Sequence, residues 1–269
     1  PACHLPAFMS LKNCVAQLNL VVGDLPGNAR QIIDAAHTAH AQGARLLLTP
    51  ELAISGYIAE DLFLRPAFIA ACDDALNRVA RETAVLGGLT IVVGDPSAVA
   101  PVDDVGPRCA NAASVLCEGR RVAHYAKRLL PNYEVFDERR YFTPGQGSCV
   151  FTVDGVRVGL LICEDAWFDE PAAAARQAGA ELLAVINASP YHQGKGAERE
   201  AAMARRARAS GLPLVYANLV GGQDEVVFDG RSLAIGADGQ LAGRAASFKE
   251  NLFFVQASRA AAAIELKAD

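Results

Sequence analysis

No two of the seven cysteines, at positions 3, 14, 72, 109, 117, 149 and 163, form a Cys-x-x-Cys pair, and their number is odd. That pattern argues against a zinc ribbon and against a fully paired disulfide framework. It fits thiols that pack as small apolar groups in a reducing compartment. Long apolar runs are also missing; none approaches the roughly 20 residues that a membrane-spanning helix requires. The N-terminus carries no basic segment followed by an apolar one, so no signal peptide is expected, and a cytoplasmic location is inferred. Aromatic residues make up only 7% of the chain and the net charge is −5. Basic residues are scattered, and the densest group, Arg205-Arg206-Ala207-Arg208, falls within a helical pattern. A solvated helix face or a subunit contact is expected there, and neither nucleic acid nor a membrane is an expected partner. No His/Cys cluster has metal-ligand spacing, so no metal is expected. A Gly-x-x-x-x-Gly-Lys-[Ser/Thr] phosphate loop is absent as well.

What is present is apolar: 52% of the 269 residues are hydrophobic, enough for one large core. The segments alternate in type. Cys14–Val21 reads as a strand, and the next helix has Asn28 as its candidate cap. Arg45–Thr49 is a short buried strand, Pro66–Leu86 a helix and Leu89–Val93 a strand. Hairpin-like strands follow at 111–117, 122–127, 150–153 and 157–162, with Glu118-Gly119 and Asp154-Gly155 as turns. Helices at 171–178 and 197–210 then alternate with strands at 182–187 and 214–218, and strands at 232–235 and 252–256 close the pattern. Helices outside mixed sheets are expected, rather than a purely parallel doubly wound sheet. The organisation read from this pattern is an N-terminal extension (1–12), one domain (13–258) and an alanine-rich tail (259–269) that leaves the core.

Cys163 ends the apolar run Val158–Ile162 and is followed by Glu164 and Asp165. A thiol nucleophile needs a proton acceptor and a group that stabilises an oxyanion. Among the five histidines, His4 is in the extension, His37 and His40 are on a helix and His124 is in a strand. Only His192 sits in a pocket-like loop, which leaves a Cys–His reading open. A carboxylate is the other candidate. Glu51 lies just past the strand Leu46–Thr49, and Lys127 just past Arg121–Ala126. Taken singly, each has an ordinary reading as a cap, a surface charge or a packed thiol. Together they put an acid, a base and a nucleophile at strand ends, which can share one cleft.

The sequences around these residues resemble the nitrilase (carbon–nitrogen hydrolase) superfamily, with its Glu-Lys-Cys triad. Pro50–Tyr57 with Glu60-Asp61-Leu62, Lys127–Phe142, Ile162–Trp167 and Asn187–Lys195 are similar to motifs in the glutaminase domain of glutamine-dependent NAD(+) synthetases. The resemblance implies an α/β fold, a four-layer α-β-β-α sandwich with two mixed sheets. It implies that Cys163 attacks the carboxamide of L-glutamine, that Glu51 moves the protons, and that Lys127 stabilises the oxyanion. As a cation near the thiol, Lys127 is also expected to favour the thiolate. Tyr133, Ser189 and Lys195 would hold the glutamine. A second carboxylate is expected near Lys127, with Glu138 fitting the pattern better than Glu134; either could instead pair with Arg139 or Arg140. The synthetases also carry a Ser-Gly-Gly-x-Asp-Ser loop, which this sequence lacks; Gly221-Gly222-Gln223-Asp224 is the nearest string. No cofactor is therefore expected here. ATP and the NAD precursor would bind a synthetase (ATP-pyrophosphatase) domain acting in cis or in trans, and a homo-oligomer is implied. Two other readings are a free-standing amidase or carbamoylase of the superfamily and a non-catalytic partner module of a synthetase.

Overall fold

The computed structural model describes residues 10–100, 109–260 and 263–269. Residues 1–9 of the expected extension, residues 101–108, and residues 261–262 of the expected tail lie outside the described residues. Ser10, Leu11 and Lys12, expected in the extension, already belong to the first strand, β1 (Ser10–Gln17). It is followed by α1 (Leu25–Ala41), β2 (Leu46–Leu48), α2 (Pro66–Thr83), β3 (Thr90–Ala98), β4 (Cys109–Cys117) and β5 (Arg120–Ala126). Then come the single turn α3 (Glu138–Tyr141), β6 (Cys149–Val153), β7 (Val156–Ile162), α4 (Asp169–Gln177), β8 (Leu182–Asn187), α5 (Lys195–Ser210) and β9 (Leu214–Asn218). A separate hairpin, β10 (Val220–Gln223) and β11 (Val226–Asp229), precedes β12 (Leu233–Ile235), β13 (Leu241–Arg244), β14 (Asn251–Ala260) and β15 (Ala263–Ala268).

Seven strands form one sheet in the order β15-β14-β1-β2-β3-β4-β5, and six form the other in the order β13-β12-β9-β8-β7-β6. Each has a parallel centre, β1-β2-β3 and β7-β8-β9, flanked by antiparallel strands. These are the two mixed sheets that the sequence resemblance implies. Side chains alternate between two apolar layers, as the strand period of two requires. In β2, Leu46 and Leu48 join the layer between the sheets, while Leu47 faces the cluster shared with α1 and α2. In β8, Leu182, Ala184 and Ile186 point inward, and Leu183 and Val185 meet α4 and α5. Gly159 in β7 permits that helix contact, because a Cβ there would lie 2.9 Å from Ala180 and 3.0 Å from Ala175. Burial of each such Leu or Ile contributes about 1.5–3 kcal/mol.

Two further sequence expectations are corrected. The described residues of the expected tail do not leave the core: β14 runs to Ala260, and β15 pairs along it as an edge strand with Ile264 buried. An edge strand needs only one apolar side chain to anchor it, and the alanine-rich composition hid that. Asn28 does not cap α1 either. Asp24 does, accepting from the Gly27 N–H at 3.0 Å. Asn28 is buried inside the helix, and its amide tethers the preceding loop through the Val21 N–H, the Val21 carbonyl and the Ile54 carbonyl.

Candidate active site

Because β4 and β5 each reverse direction, β5 runs the same way as β2 and β3. Glu51 after β2 and Lys127 after β5 therefore emerge at the same edge of the first sheet. The turn at Glu51 is fixed by Thr49, whose hydroxyl donates to the Val92 carbonyl at 3.0 Å and accepts from the Gly94 N–H at 3.3 Å. Gly94 is required by close approach, since a Cβ there would meet the Pro50 oxygen at 2.3 Å and the Leu52 nitrogen at 2.5 Å. From the second sheet, the Asn187 carbonyl at the end of β8 accepts from the Glu51 backbone N–H at 3.4 Å.

The Lys127 ammonium donates to Glu51 Oε1 and to Glu138 Oε1, both at 2.8 Å, and all three side chains are buried. Asn111 Nδ2 donates to Glu51 Oε1 at 2.7 Å, the Ala188 N–H to Glu51 Oε2 at 2.9 Å, and the Tyr57 hydroxyl to Glu138 Oε1 at 3.0 Å. Burial alone would lower the Lys127 pKa, but Glu138 and Glu51 outweigh it and hold the ammonium well above the ordinary lysine value. Burial pushes the Glu138 carboxyl up to about 7; Lys127 opposes the rise and Glu51 adds to it. Of the two carboxylates considered near Lys127, Glu138 reaches it; its neighbours Arg139 and Arg140 face elsewhere, with Arg140 pairing with Asp61 at 2.8 Å.

Cys163 opens a five-residue 3-10 turn (Cys163–Trp167) directly after β7 and has φ of 45°, in the left-handed region. A non-glycine residue held there is strained, as is common where a fold presents a reactive side chain. Its thiol is buried, which drives its pKa well above the ordinary value; Glu51 raises it further and Lys127 opposes. The resting group is therefore a neutral thiol. Lys127 does favour the thiolate, as expected of a nearby cation, but desolvation and the carboxylates outweigh that one cation.

Asp165 ties the two sheets together at this point. Its carboxylate accepts from the N–H groups of Arg128 (3.1 Å), Leu129 (2.9 Å) and Ile162 (3.3 Å) and from the Tyr125 hydroxyl (2.8 Å). Burial nonetheless lifts it to about 6. The Cys163 turn is clamped from behind by Arg206, which donates to the Ala166 and Trp167 carbonyls and to Asp169. Arg206 is thus buried, not part of the solvated face expected for that basic group.

Tyr133 stands at the rim of a cleft of about 920 Å³ that Glu164, Phe142 and Phe168 also line. Its hydroxyl lies 3.0 Å from both Glu164 oxygens. Ser189 is buried after β8, its N–H donating to Asn218 Oδ1 at 2.9 Å. Lys195 is the first residue of α5; its ammonium lies 4.5 Å from the Trp167 ring centroid and 3.4 Å from Glu198. His192 is exposed, with Nδ1 at 3.0 Å from the Gln193 carbonyl and Nε2 at 3.6 Å from Glu198. Two residues at the ion cluster escaped the sequence reading. Asn111 had a signal, an amide within the small apolar strand Ala110–Ala113, whereas Tyr57 was one of several residues in its motif and nothing set it apart.

Among the described residues no helix is long and apolar enough to cross a membrane, and the six described cysteines are free. Residues 14–263 match the family described as carbon-nitrogen hydrolase. The glutamine-dependent NAD(+) synthetase of Xanthomonas campestris pv. campestris is 49% identical over 249 residues, covering 91% of this chain and 44% of that protein. That of Thermotoga maritima is 39% identical over 247 residues, covering 91% and 42%. Among solved structures, the glutamine-dependent NAD+ synthetase of Acinetobacter baumannii superposes with a TM-score of 0.84 at 33% identity, over 95% of this chain and 49% of that one. An amidase from Nesterenkonia sp. superposes with a TM-score of 0.78 at 30% identity, over 91% and 89%. The chain thus spans less than half the length of the synthetases it matches. It belongs to the carbon-nitrogen hydrolase family and is homologous to a portion of the glutamine-dependent NAD(+) synthetases.

Proposed function

We propose that this chain is a glutaminase: it hydrolyses the side-chain amide of L-glutamine and supplies the ammonia to NAD synthesis. The observation that carries the reading is the buried Glu51–Lys127–Glu138 ion cluster, in a fold that also buries Cys163 at a strand end with a strained backbone. A neutral thiol needs a base at the moment of attack. Glu51 takes the Cys163 proton as the sulfur adds to the carboxamide carbon. Lys127 and the backbone N–H following Cys163 stabilise the oxyanion. The proton passes from Glu51 to the nitrogen, ammonia leaves, and a γ-glutamyl thioester remains. Water deprotonated by Glu51 then releases glutamate and restores the thiol.

Tyr133, Ser189 and Lys195 are the proposed glutamine-holding residues. Lys195 offers a cation for the α-carboxylate, and Tyr133 and Ser189 offer hydroxyls. ATP and the NAD precursor would bind a synthetase domain, in cis or in trans, and the chain would work in the cytoplasm as part of a homo-oligomer. Glutamate release, measured with Cys163→Ala as control, tests the assignment; hydrolysis surviving in that variant would sink it. The near full-length likeness to the Nesterenkonia amidase supports a second reading, an amidase acting on simple amides. In a panel of glutamine, acetamide, propionamide and N-carbamoyl amino acids, preference for a simple amide would favour that second reading.

A further inference from the structure

We propose that Asn111 is a positioning residue for this reaction, occupying Glu51 Oε1 together with Lys127 so that Oε2 is the atom that takes the thiol proton. The inference rests on the proposed reading only for the role of Glu51 as proton acceptor. Oε1 receives two short bonds, 2.7 Å from Asn111 and 2.8 Å from Lys127. Oε2 receives one, from the Ala188 N–H at 2.9 Å. The less occupied oxygen keeps a lone pair for the incoming proton.

The orientation of the Asn111 amide follows from the same chemistry. An ionised carboxylate only accepts, so the NH2 end must face Glu51. The other end, Oδ1, is then left buried with no hydrogen-bond partner among the described residues. A buried carbonyl in that state costs stability, and it is found here beside the amide that anchors Glu51. The main chain of Asn111 does a second job: its carbonyl accepts from the Lys127 N–H at 2.8 Å. One residue of β4 thus locates both the acid's side chain and the lysine's backbone. Leucine, of similar size, would remove the donor; aspartate would add a third buried carboxylate.

A carboxylate with one donor fewer holds its proton more tightly. The titratable groups acting with Glu51 are Lys127, Glu138, Tyr57, Cys163, Glu164 and Tyr216. Asn111→Leu leaves all six in place, so a displaced pH profile reports the lost amide.

The test follows alkylation of Cys163 by iodoacetamide against pH, with the labelled peptide identified by mass spectrometry, beside kcat/KM for glutamine. For Asn111→Leu the acid limb of both profiles is expected to move up by about one pH unit, a roughly tenfold loss at pH values on that limb. A folded Asn111→Leu protein with the wild-type acid limb would overturn the proposal. Should that variant fail to fold, Asn111→Ser removes the same direct bond without added bulk and must show the same displacement, or the proposal fails. The alkylation arm needs no glutamine turnover. A wild type inert toward glutamine whose alkylation limb still moves in the variant would sink the glutaminase reading and leave this one standing.

Discussion

Glu138→Gln isolates the ionisation of the buried cluster. In the folded protein the Glu138 carboxyl titrates near about 7, against an ordinary value of 4.5, because it is buried beside a second carboxylate. Between those two values the unfolded chain is ionised at this position while the folded chain holds the proton. Folding therefore takes up a proton, and the contribution to stability is fully present below pH 4.5 and lost as the pH rises through about 7. The whole span corresponds to about 3 kcal/mol, most of which falls between pH 5 and pH 8. Glutamine has nearly the same shape and its carbonyl can still accept from Lys127 and Tyr57, but it does not titrate. Urea unfolding of both proteins at pH 5 and pH 8 should show the wild type's advantage over Glu138→Gln shrinking by about 2–3 kcal/mol, or about 5 °C in melting temperature for a chain of this size. Parallel pH dependences in the two proteins would refute the reasoning, because they would mean that Glu138 is ionised throughout.

Lys127→Met leaves Glu51 and Glu138 buried without their shared cation; a loss of about 3–5 kcal/mol in urea unfolding is expected, with glutamine hydrolysis abolished. Asp165→Ala removes the acceptor for three backbone N–H groups and the Tyr125 hydroxyl. At roughly 1–3 kcal/mol for each orphaned donor, a destabilisation of at least about 3 kcal/mol should appear in the unfolding midpoint. Gly94→Ala forces a Cβ against the Pro50–Leu52 backbone and so displaces Glu51; kcat should fall about 100-fold while the melting temperature drops only a few degrees, read by steady-state kinetics and calorimetry.

The site was legible in the sequence to the extent that its residues stand at the ends of apolar strands. Glu51, Lys127 and Cys163 each follow such a run, and the long matching segments around them supplied a family. The central strands were legible for the same reason, since Leu46–Leu48 and Leu182–Ile186 are buried on both faces. β13 and β15 were missed because an edge strand buries little: Leu241–Arg244 is half exposed, and Ile264 is the only buried side chain of its strand. The protonation state of the site could not be read from residue types. A lysine near a cysteine suggests a thiolate until burial and the carboxylates are counted, and those carboxylates sit 112 and 25 residues away along the chain. Asn111 became meaningful only when its distance to Glu51 was known.

Glu51 and Lys127 are carried by one sheet, whereas Cys163 and Ala188 are carried by the other, and the layer between them is built from Leu46, Leu48, Val92, Val158, Ala184 and Ile186. That layer works as a spacer gauge for the chemistry. A volume-conserving exchange within it costs less than about 1.5 kcal/mol of stability, yet a shift of about 1 Å between acid and thiol is enough to slow a reaction about 100-fold. Turnover in this fold can thus be tuned, up or down, by apolar side chains that never meet a substrate.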